Sequence, residues 1–262
     1  MKLKGLFALP HVSRRTWMVW RRNKDVFTKT IVVNFIPPIA EPIVYLAAFG
    51  FGLGTLLAMG AEEYARTLAP ALIAITVMNA SFFECTFASF VRMYFQKTFD
   101  AIIATPLNVD EVIVGEMLWG ATRSMISAVI MLVVVALFGL VQSLWIILVI
   151  PFSFLGGLLF AAIGMCFTAI TPKIENFNYP TSLFITPMTL VSNTFFPLTI
   201  FPAVVQSVAT AIVPLVHVVN ISRGLALGTL TIDMLWSFIW VVAVTALFFL
   251  LAINLMKRRL IV

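Results

Sequence analysis

Four ionisable side chains interrupt apolar stretches of the sequence: Glu41, Glu84, Glu116 and Arg123. A charge deep in an apolar layer costs at least about 2.5–3.5 kcal/mol, so each needs a partner, water or a protein interior. Glu116 and Arg123 are seven residues apart and would share one helical face. We expect Glu84 and Arg123 to form a polar cluster, with Glu116 near its edge and Glu41 approaching from a kinked helix. The cluster is either an ion pair that fixes helix register or a device that links movement to the opening of a pathway.

Other residue patterns speak against catalysis. The adjacent Glu62 and Glu63 point in different directions and do not form a carboxylate pair for general acid and base work. Cys85 and Cys166 lie in apolar runs without metal-ligand spacing, so we expect buried, inert thiols. The sequence contains no G-x-x-x-x-G-K-[ST] loop, catalytic triad or metal-ligand cluster. We therefore expect no enzymatic activity and no cofactor in this chain.

Composition assigns the chain to a class. Of the 262 residues, 61% are hydrophobic and 11% are charged, and the mean hydropathy is +1.07, whereas soluble domains are about 25% charged. We expect an all-α integral membrane protein, organised as a single transmembrane domain over residues 1–262. Six apolar segments are long enough to span a bilayer: 31–53, 68–91, 112–140, 144–170, 179–200 and 234–256. Prolines predict a kink in the first, and Gly157, Ala161 and Gly164 permit close packing of the fourth.

The basic residues predict the orientation. Most Lys and Arg side chains precede the first span, follow the last, or lie in the loops on the same side, whereas Arg66 and Arg223 lie on the other. By the positive-inside rule both termini are cytoplasmic. Segment 5–29 mixes basic and aromatic residues, with Trp17 and Trp20 on one helical face, and predicts an amphipathic helix in the membrane interface. This interleaving favours membrane lipids over nucleic acid as the partner of the basic patch.

Residues 98–110, which we call the elbow, separate the second and third spans. Phe99, Ile103 and Leu107 contribute to an apolar stripe that the Thr105-Pro106 pair interrupts. Asn108 or Asp110 can cap the helix that follows. The pattern predicts a short amphipathic helix along the membrane and then a sharp turn. Such an elbow either seals the helix bundle or offers an exposed docking site to another protein.

A second unusual region covers residues 201–219. Between Pro202 and Pro214 lie eleven residues, too few to cross a hydrocarbon core of about 30 Å at 1.5 Å per residue. We expect a short re-entrant helix pair here. Five residues near it are candidates for an outer gate: Phe195, Phe196, Pro197, His217 and Arg223. They either contact a sugar or anionic head group, or form an ordinary interfacial belt with a hydrogen-bonded histidine.

Four blocks carry a family resemblance: VWRRNKDVFTKTIVVNFIPPIAEPIVYLAAFGFGLG at 19–54, YFQKTFDAIIATPLNVDEVIVGEMLWGATRS at 94–124, TPKIENFNYPTSLFITPMTLVSNTFFPL at 171–198 and VPLVHVVNISRGLALG at 213–228. Together they span most of the sequence. The chain resembles the membrane subunits (permeases) of type 2 ABC exporters, and among these the nodulation protein J and lipooligosaccharide exporter group.

The resemblance implies a six-span permease in the bacterial inner membrane that forms a homodimer and works with an ATP-binding cassette protein. That partner would bind the ATP and Mg²⁺. The re-entrant pair would be extracellular, and the elbow would be the coupling helix that contacts the ATPase. The coupling residues would be Phe99, Asp100, Ile103, Thr105, Pro106, Leu107 and Asp110.

The implied cargo is a lipooligosaccharide or another amphipathic glycolipid, exported across the plasma membrane. Export of a drug or simple lipid is the first alternative, because no residue in the sequence selects the cargo. An ion-coupled secondary transporter that uses the intramembrane glutamates is the second. A non-transporting membrane scaffold whose elbow recruits a soluble partner is the third.

Overall fold

The computed structural model describes residues 10–30, 40, 43–53, 61–229 and 231–260. Regular structure within these ranges is helical, which confirms the all-α prediction for them. The α-helices longer than one turn are α1 (Thr16–Lys29), α2 (Ala61–Phe83), α3 (Thr98–Ile103), α4 (Val109–Leu137), α5 (Val149–Ile170), α6 (Thr186–Val191), α7 (Ala203–Ile212), α8 (Pro214–Leu227) and α9 (Ile232–Leu260).

Shorter helical turns extend or join these helices. Wide π turns cover Leu46–Leu53, Glu84–Ala88, Val91–Phe95 and Thr181–Ile185. Tight 3₁₀ turns cover Leu144–Leu148, Ile174–Phe177 and Leu198–Ile200, and Asn178–Pro180 forms one α-turn. Two of the π turns continue α2 almost without a break to Phe95.

Among the described residues, four helical segments are long and apolar enough to cross a membrane: Glu62–Phe95, Val109–Leu137, Leu144–Ile170 and Ile232–Leu260. They coincide with the second, third, fourth and sixth predicted spans. The first predicted span, 31–53, is described at residue 40 and over residues 43–53, which end in the π turn Leu46–Leu53. The fifth, predicted over 179–200, is helical only to Val191 before the 3₁₀ turn at Leu198–Ile200. Asn193 adopts a left-handed backbone with φ of 61°, which ends the helix there. Six spans therefore remain a prediction.

Helices α7 and α8 meet at Val213 with a bend of 86°. Pro214 occupies the first turn of α8, where its missing N–H costs no hydrogen bond. The bend agrees with a pair of short helices in place of one straight span, but α8 continues to Leu227 rather than ending near residue 219. The side of the membrane on which the pair lies stays a prediction.

Helix α5 is central to the bundle and packs against both α4 and α9, while α2 packs against α4, α5 and α8. A Cβ atom at Gly157 would lie 1.7 Å from Ser124 Oγ on α4, and one at Gly164 would lie 3.0 Å from the carbonyl oxygen of Phe82 on α2. The predicted close packing along this face is confirmed. The glycines serve two neighbours, since Gly157 admits α4 and Gly164 admits α2.

Helix α1 begins later than the segment predicted over 5–29, because residues 10–13 are not helical. The backbone N–H of His11 and the hydroxyl of Ser13 bind carboxylates of α4 instead of helical carbonyls. Thr16, Val19 and Asn23 form the buried face of α1, and Gly115 on α4 lets Val19 approach closely. The shared face of the two tryptophans is confirmed, since the rings of Trp17 and Trp20 stack at 4.1 Å.

Candidate functional site: a buried charge network and the elbow beside it

Two acidic and two basic side chains form one chain of ion pairs between α2 and α4. Arg123 Nη1 lies 2.6 Å from Glu84 Oε2, and Arg92 Nη2 lies 2.8 Å from Glu84 Oε1 and 2.6 Å from Glu116 Oε2. We call these four residues the charge network. The predicted contact of Glu84 with Arg123 is present. Glu41, which we expected to approach them, lies outside the described residues.

The carboxylates of the network are almost completely buried. The side chains of Glu84 and Glu116 are 2% and 1% exposed, whereas Arg92 and Arg123 are 14% and 25% exposed. Ser89 and Asn23 each donate a hydrogen bond of 2.7 Å to Glu116. Buried ions are tolerated where partners neutralise them and satisfy their lone pairs, and both conditions hold here. Removing one member would leave the network with unequal numbers of positive and negative charges.

Arg92 is the member that sequence reasoning missed, because it was assigned to the basic flank of the second span. It follows Glu84 by eight residues, which on a regular α-helix with 3.6 residues per turn displaces it by about 80° around the axis. The π turns Glu84–Ala88 and Val91–Phe95 widen the helix and rotate the chain less per residue. Arg92 therefore lies on the same face as Glu84.

Helix α1 closes the network from a third side. Asn23 binds Glu116, and Arg22 Nη1 donates to Asn23 Oδ1 at 2.8 Å. Burial lowers the pKa of the Arg22 guanidinium, while the nearby charge of Glu116 acts in the opposite direction. The guanidinium of Arg123 lies 5.3 Å from the centre of the Phe27 ring, a cation–π distance. Segment 5–29 was predicted to lie in the membrane interface as an amphipathic helix, and the buried face of α1 also completes a protein interior.

The elbow is a short helix followed by a turn, as its residue pattern predicted. Lys97, with φ of 53°, reverses the chain before α3, which ends at Ile103. Pro106 lacks the N–H that a continuing helix requires. Asn108 takes the cap position of α4 with an extended backbone, and its N–H donates to Glu111 Oε2 at 2.8 Å. The predicted cap at Asn108 is present, and Asp110 belongs to the first turn of α4.

The predicted coupling residues divide into exposed and buried sets. Asp100, Thr105 and Pro106 are exposed, Ile103 and Leu107 are half-buried, and Phe99 and Asp110 are buried. Phe99 belongs to an apolar cluster that also includes Phe90 and Phe177. The exposed set forms a surface that another protein can reach, while the buried set fixes the elbow to the bundle.

Asp110 connects the elbow to distant parts of the chain. Its Oδ2 atom accepts a hydrogen bond of 2.8 Å from the backbone N–H of His11 and pairs with Lys257 Nζ at 2.7 Å. Arg15 also donates to the carbonyl oxygen of Pro106 in the elbow. The segment before α1, the elbow and the end of α9 therefore form one connected unit. Neither His11 nor Lys257 was singled out by the sequence.

The residues predicted for an outer gate fall into two groups. Phe195 is half-buried, Phe196 and Pro197 are exposed, and Arg223 Nη2 reaches this loop through the carbonyl oxygen of Asn193 at 2.8 Å.

His217 lies apart from that group. Its ring is buried, stacks on Trp240 at 4.2 Å, and contacts Ser237 Oγ at 3.2 Å and the carbonyl oxygen of Thr210 at 3.0 Å. The histidine thus joins α7, α8 and α9, as the hydrogen-bonded interpretation expects.

With this geometry established, comparison with known proteins defines the class. Residues 13–227 match the family model described as ABC-2 type transporter. The chain belongs to this family. It is an ABC transporter permease, a membrane protein that takes part in transport.

Three individual proteins of known name are similar to the chain. The chain is 34% identical to nodulation protein J of Rhizobium leguminosarum bv. trifolii over 97% of each chain. It is 32% identical to nodulation protein J of Neorhizobium galegae, also over 97% of each. It is 21% identical to the inner membrane transport permease YadH of Escherichia coli K12 over 92% of this chain and 93% of the relative. No solved structure matches.

Proposed function

We propose that this chain is the membrane-spanning subunit of an ATP-driven exporter that moves a lipooligosaccharide or related amphipathic glycolipid out across the bacterial plasma membrane. Two copies of the chain would pair with two ATP-binding subunits. The observation that carries the proposal is the similarity to nodulation protein J over almost the full length of both chains. The sequence resemblance to lipooligosaccharide exporters supplies the cargo class.

The elbow is the proposed contact with the ATP-binding subunit. It presents Asp100, Thr105 and Pro106 on a short exposed ridge, and buried anchors on both sides hold that ridge. A rigid ridge transmits displacement, whereas a mobile loop would absorb it. The basic flanks support a cytoplasmic position of the elbow by the positive-inside rule, and an ATPase would bind on that side.

The charge network is the proposed route from the elbow into the membrane. Glu116 lies five residues after Glu111, whose carboxylate closes the cap of α4 at the elbow. From Glu116 the ion pairs pass through Arg92 and Glu84 to Arg123, farther along α4. A shift of the elbow would displace α1, the continuation of α2, and α4 together. Each of these elements donates a hydrogen bond to Glu116 or Glu84, from Asn23, Ser89 and Arg123 respectively. Coupling of this kind requires that the network have two discrete arrangements.

A wider cargo range is the second candidate, favoured by the similarity to YadH, whose name specifies a transport permease without a cargo. The same machine would then export a drug or a simple lipid. The two candidates differ in what appears outside the cell when the permease and its ATPase are produced together.

The test is reconstitution of the purified permease with its cognate ATP-binding subunit in vesicles. We expect ATP-dependent movement of a fluorescent lipooligosaccharide across the bilayer, and no movement with an ATPase whose phosphate-binding lysine is replaced. Transport that persists without ATP and follows a proton gradient would contradict the proposal and favour a secondary transporter. ATP-dependent movement of simple lipids but not of the glycolipid would favour the wider cargo range.

A further inference from the structure

A pocket of about 520 Å³ opens beside the elbow. One wall is apolar and comes from the elbow and the start of α4: Ile103, Pro106, Leu107 and Val109. The polar lining includes His11, Asp110 and Lys257, contributed by the segment before α1, by α4 and by α9. Three segments far apart in sequence thus build one concave site next to the exposed ridge.

The carboxylate of Asp110 in this lining is only half satisfied. The residue is 1% exposed. Its Oδ2 atom has two donors, His11 N–H and Lys257 Nζ, whereas its buried Oδ1 atom has no hydrogen-bond partner among the described residues. Buried acceptors in folded proteins are nearly always paired, because an unpaired one keeps its desolvation cost without compensation. The unpaired oxygen indicates that the missing donor comes from outside the described residues.

The charges of the pocket define that donor. The carboxylate of Asp110 is already neutralised by Lys257 at 2.7 Å, so a second cation would lie close to the ammonium group of Lys257 and be repelled. A neutral O–H or N–H avoids this repulsion. The apolar wall favours a side chain with an apolar body and a polar tip, such as tyrosine or tryptophan. A lipid ammonium head group has the wrong charge for this place.

We propose that this pocket receives one side chain of the ATP-binding subunit, whose apolar body packs against Ile103 and Leu107 and whose neutral donor binds Asp110 Oδ1. The inference rests on the proposed function, because it requires an ATPase at the elbow. It goes beyond simple elbow docking, since here the permease provides the socket and the partner provides the inserted group.

The test measures binding of the purified cognate ATP-binding subunit to the full-length permease in lipid nanodiscs. Asp110→Asn and Lys257→Gln both break the same ion pair, but only Asp110→Asn removes an acceptor oxygen and adds a donor. We expect Asp110→Asn to weaken binding about ten-fold and Lys257→Gln less than about three-fold. Equal effects of the two variants would overturn the inference.

Leu107→Trp serves as a second variant that fills the pocket and leaves the Asp110–Lys257 pair intact, so it answers the question even if Asp110→Asn folds poorly. We expect it to weaken binding as well; unchanged binding would overturn the inference. If Leu107→Trp weakens binding of the ATP-binding subunit only in nanodiscs that contain phosphatidylethanolamine, and not in phosphatidylglycerol alone, the pocket binds a lipid head group. That result would also overturn the inference.

Ala104→Trp separates the socket from elbow docking, because Ala104 is exposed on the elbow and does not line the pocket. Weaker binding with Ala104→Trp but normal binding with both Asp110→Asn and Leu107→Trp would keep the elbow contact and reject the socket. Normal binding by all three variants would reject both.

Discussion

Arg123 on α4 contacts Glu84 on the continuation of α2 at 2.6 Å, across 39 residues of sequence. The pair lies at the end of the charge network that is farther from the elbow along α4. A variant of this pair can therefore distinguish between two roles of the intramembrane charges, a structural ion pair and a link in energy coupling.

The first prediction concerns that pair. Arg123→Ala leaves Glu84 with Arg92 as its remaining partner, so we expect a folded permease that still stimulates ATP hydrolysis while its transport falls about ten-fold, within the usual range of coupling energies. Both rates are measured in the same vesicles. Arg66→Ala is the matched control, because Arg66 pairs with Glu62 at an exposed site. Normal transport by Arg123→Ala would leave only the structural role.

The second prediction concerns stability. Glu116→Gln removes one of the two acids that pair with Arg92 and leaves both guanidinium groups to share Glu84, and breaking a buried pair in this way costs about 3–5 kcal/mol. We expect a clear fall in the thermal midpoint of the permease in detergent. Asp100→Asn provides the comparison, because the Asp100 side chain is 61% exposed and its contact with Lys97 is 3.9 Å. Similar midpoints for the two variants would show that the network contributes little to folding.

The third prediction tests whether α1 belongs to the bundle. Asn23→Asp replaces a donor to Glu116 with a second buried negative charge, and we expect it to detach α1 from α4. Hydrogen exchange of the backbone amides in Thr16–Lys29 should then accelerate. Lys24→Asp makes a larger change of charge on an exposed neighbour and should leave this exchange slow. Fast exchange in the wild-type protein would contradict the packing of α1 described above.

The fourth prediction uses two adjacent glycines of α5. A Cβ at Gly157 would collide with Ser124, whereas one at Gly156 would meet Val218 at an ordinary 3.5 Å. We expect Gly157→Ala to destabilise the permease by about 1–3 kcal/mol. Gly156→Ala should be neutral or slightly stabilising, because alanine is the better helix former. The measurement is the thermal unfolding midpoint of Gly157→Ala and Gly156→Ala in the same detergent. Equal changes in the midpoint would contradict the close approach of α4 and α5.

Much of this architecture can be predicted from the sequence, because the hydropathy of a segment and the residues that cap or end its helix act locally. The runs around α2, α4, α5 and α9 are long enough to identify, and Asn108 and Pro106 mark the elbow by their own backbone chemistry. Local signals also predicted the contact of Glu84 with Arg123, since an intramembrane charge demands a partner. The cap and this ion pair needed no knowledge of the rest of the fold.

The remainder depends on departures from regular geometry and on distant contacts. Arg92 faces Glu84 more directly because π turns change the helical phase. Asn23 binds Glu116 across 93 residues of sequence. Lys257, near the end of the chain, binds Asp110. No short sequence pattern predicts contacts between residues so far apart. The early end of the fifth segment follows from the left-handed backbone of Asn193, which a smooth hydropathy profile does not reveal.

The wide turns after Phe83 also set how many residues this stretch can hold. Deleting a single codon between Glu84 and Arg92 would leave a seven-residue spacing, which on a regular α-helix is about 20° short of two full turns, so the stretch can close into an ordinary α-helix and keep the guanidinium beside the acids. The π turns therefore tolerate the loss of one residue better than the regular part of α2 does. By contrast, the turn over residues 139–143, where Gly139 already adopts a positive φ, is a place for insertions such as an epitope or a fusion partner.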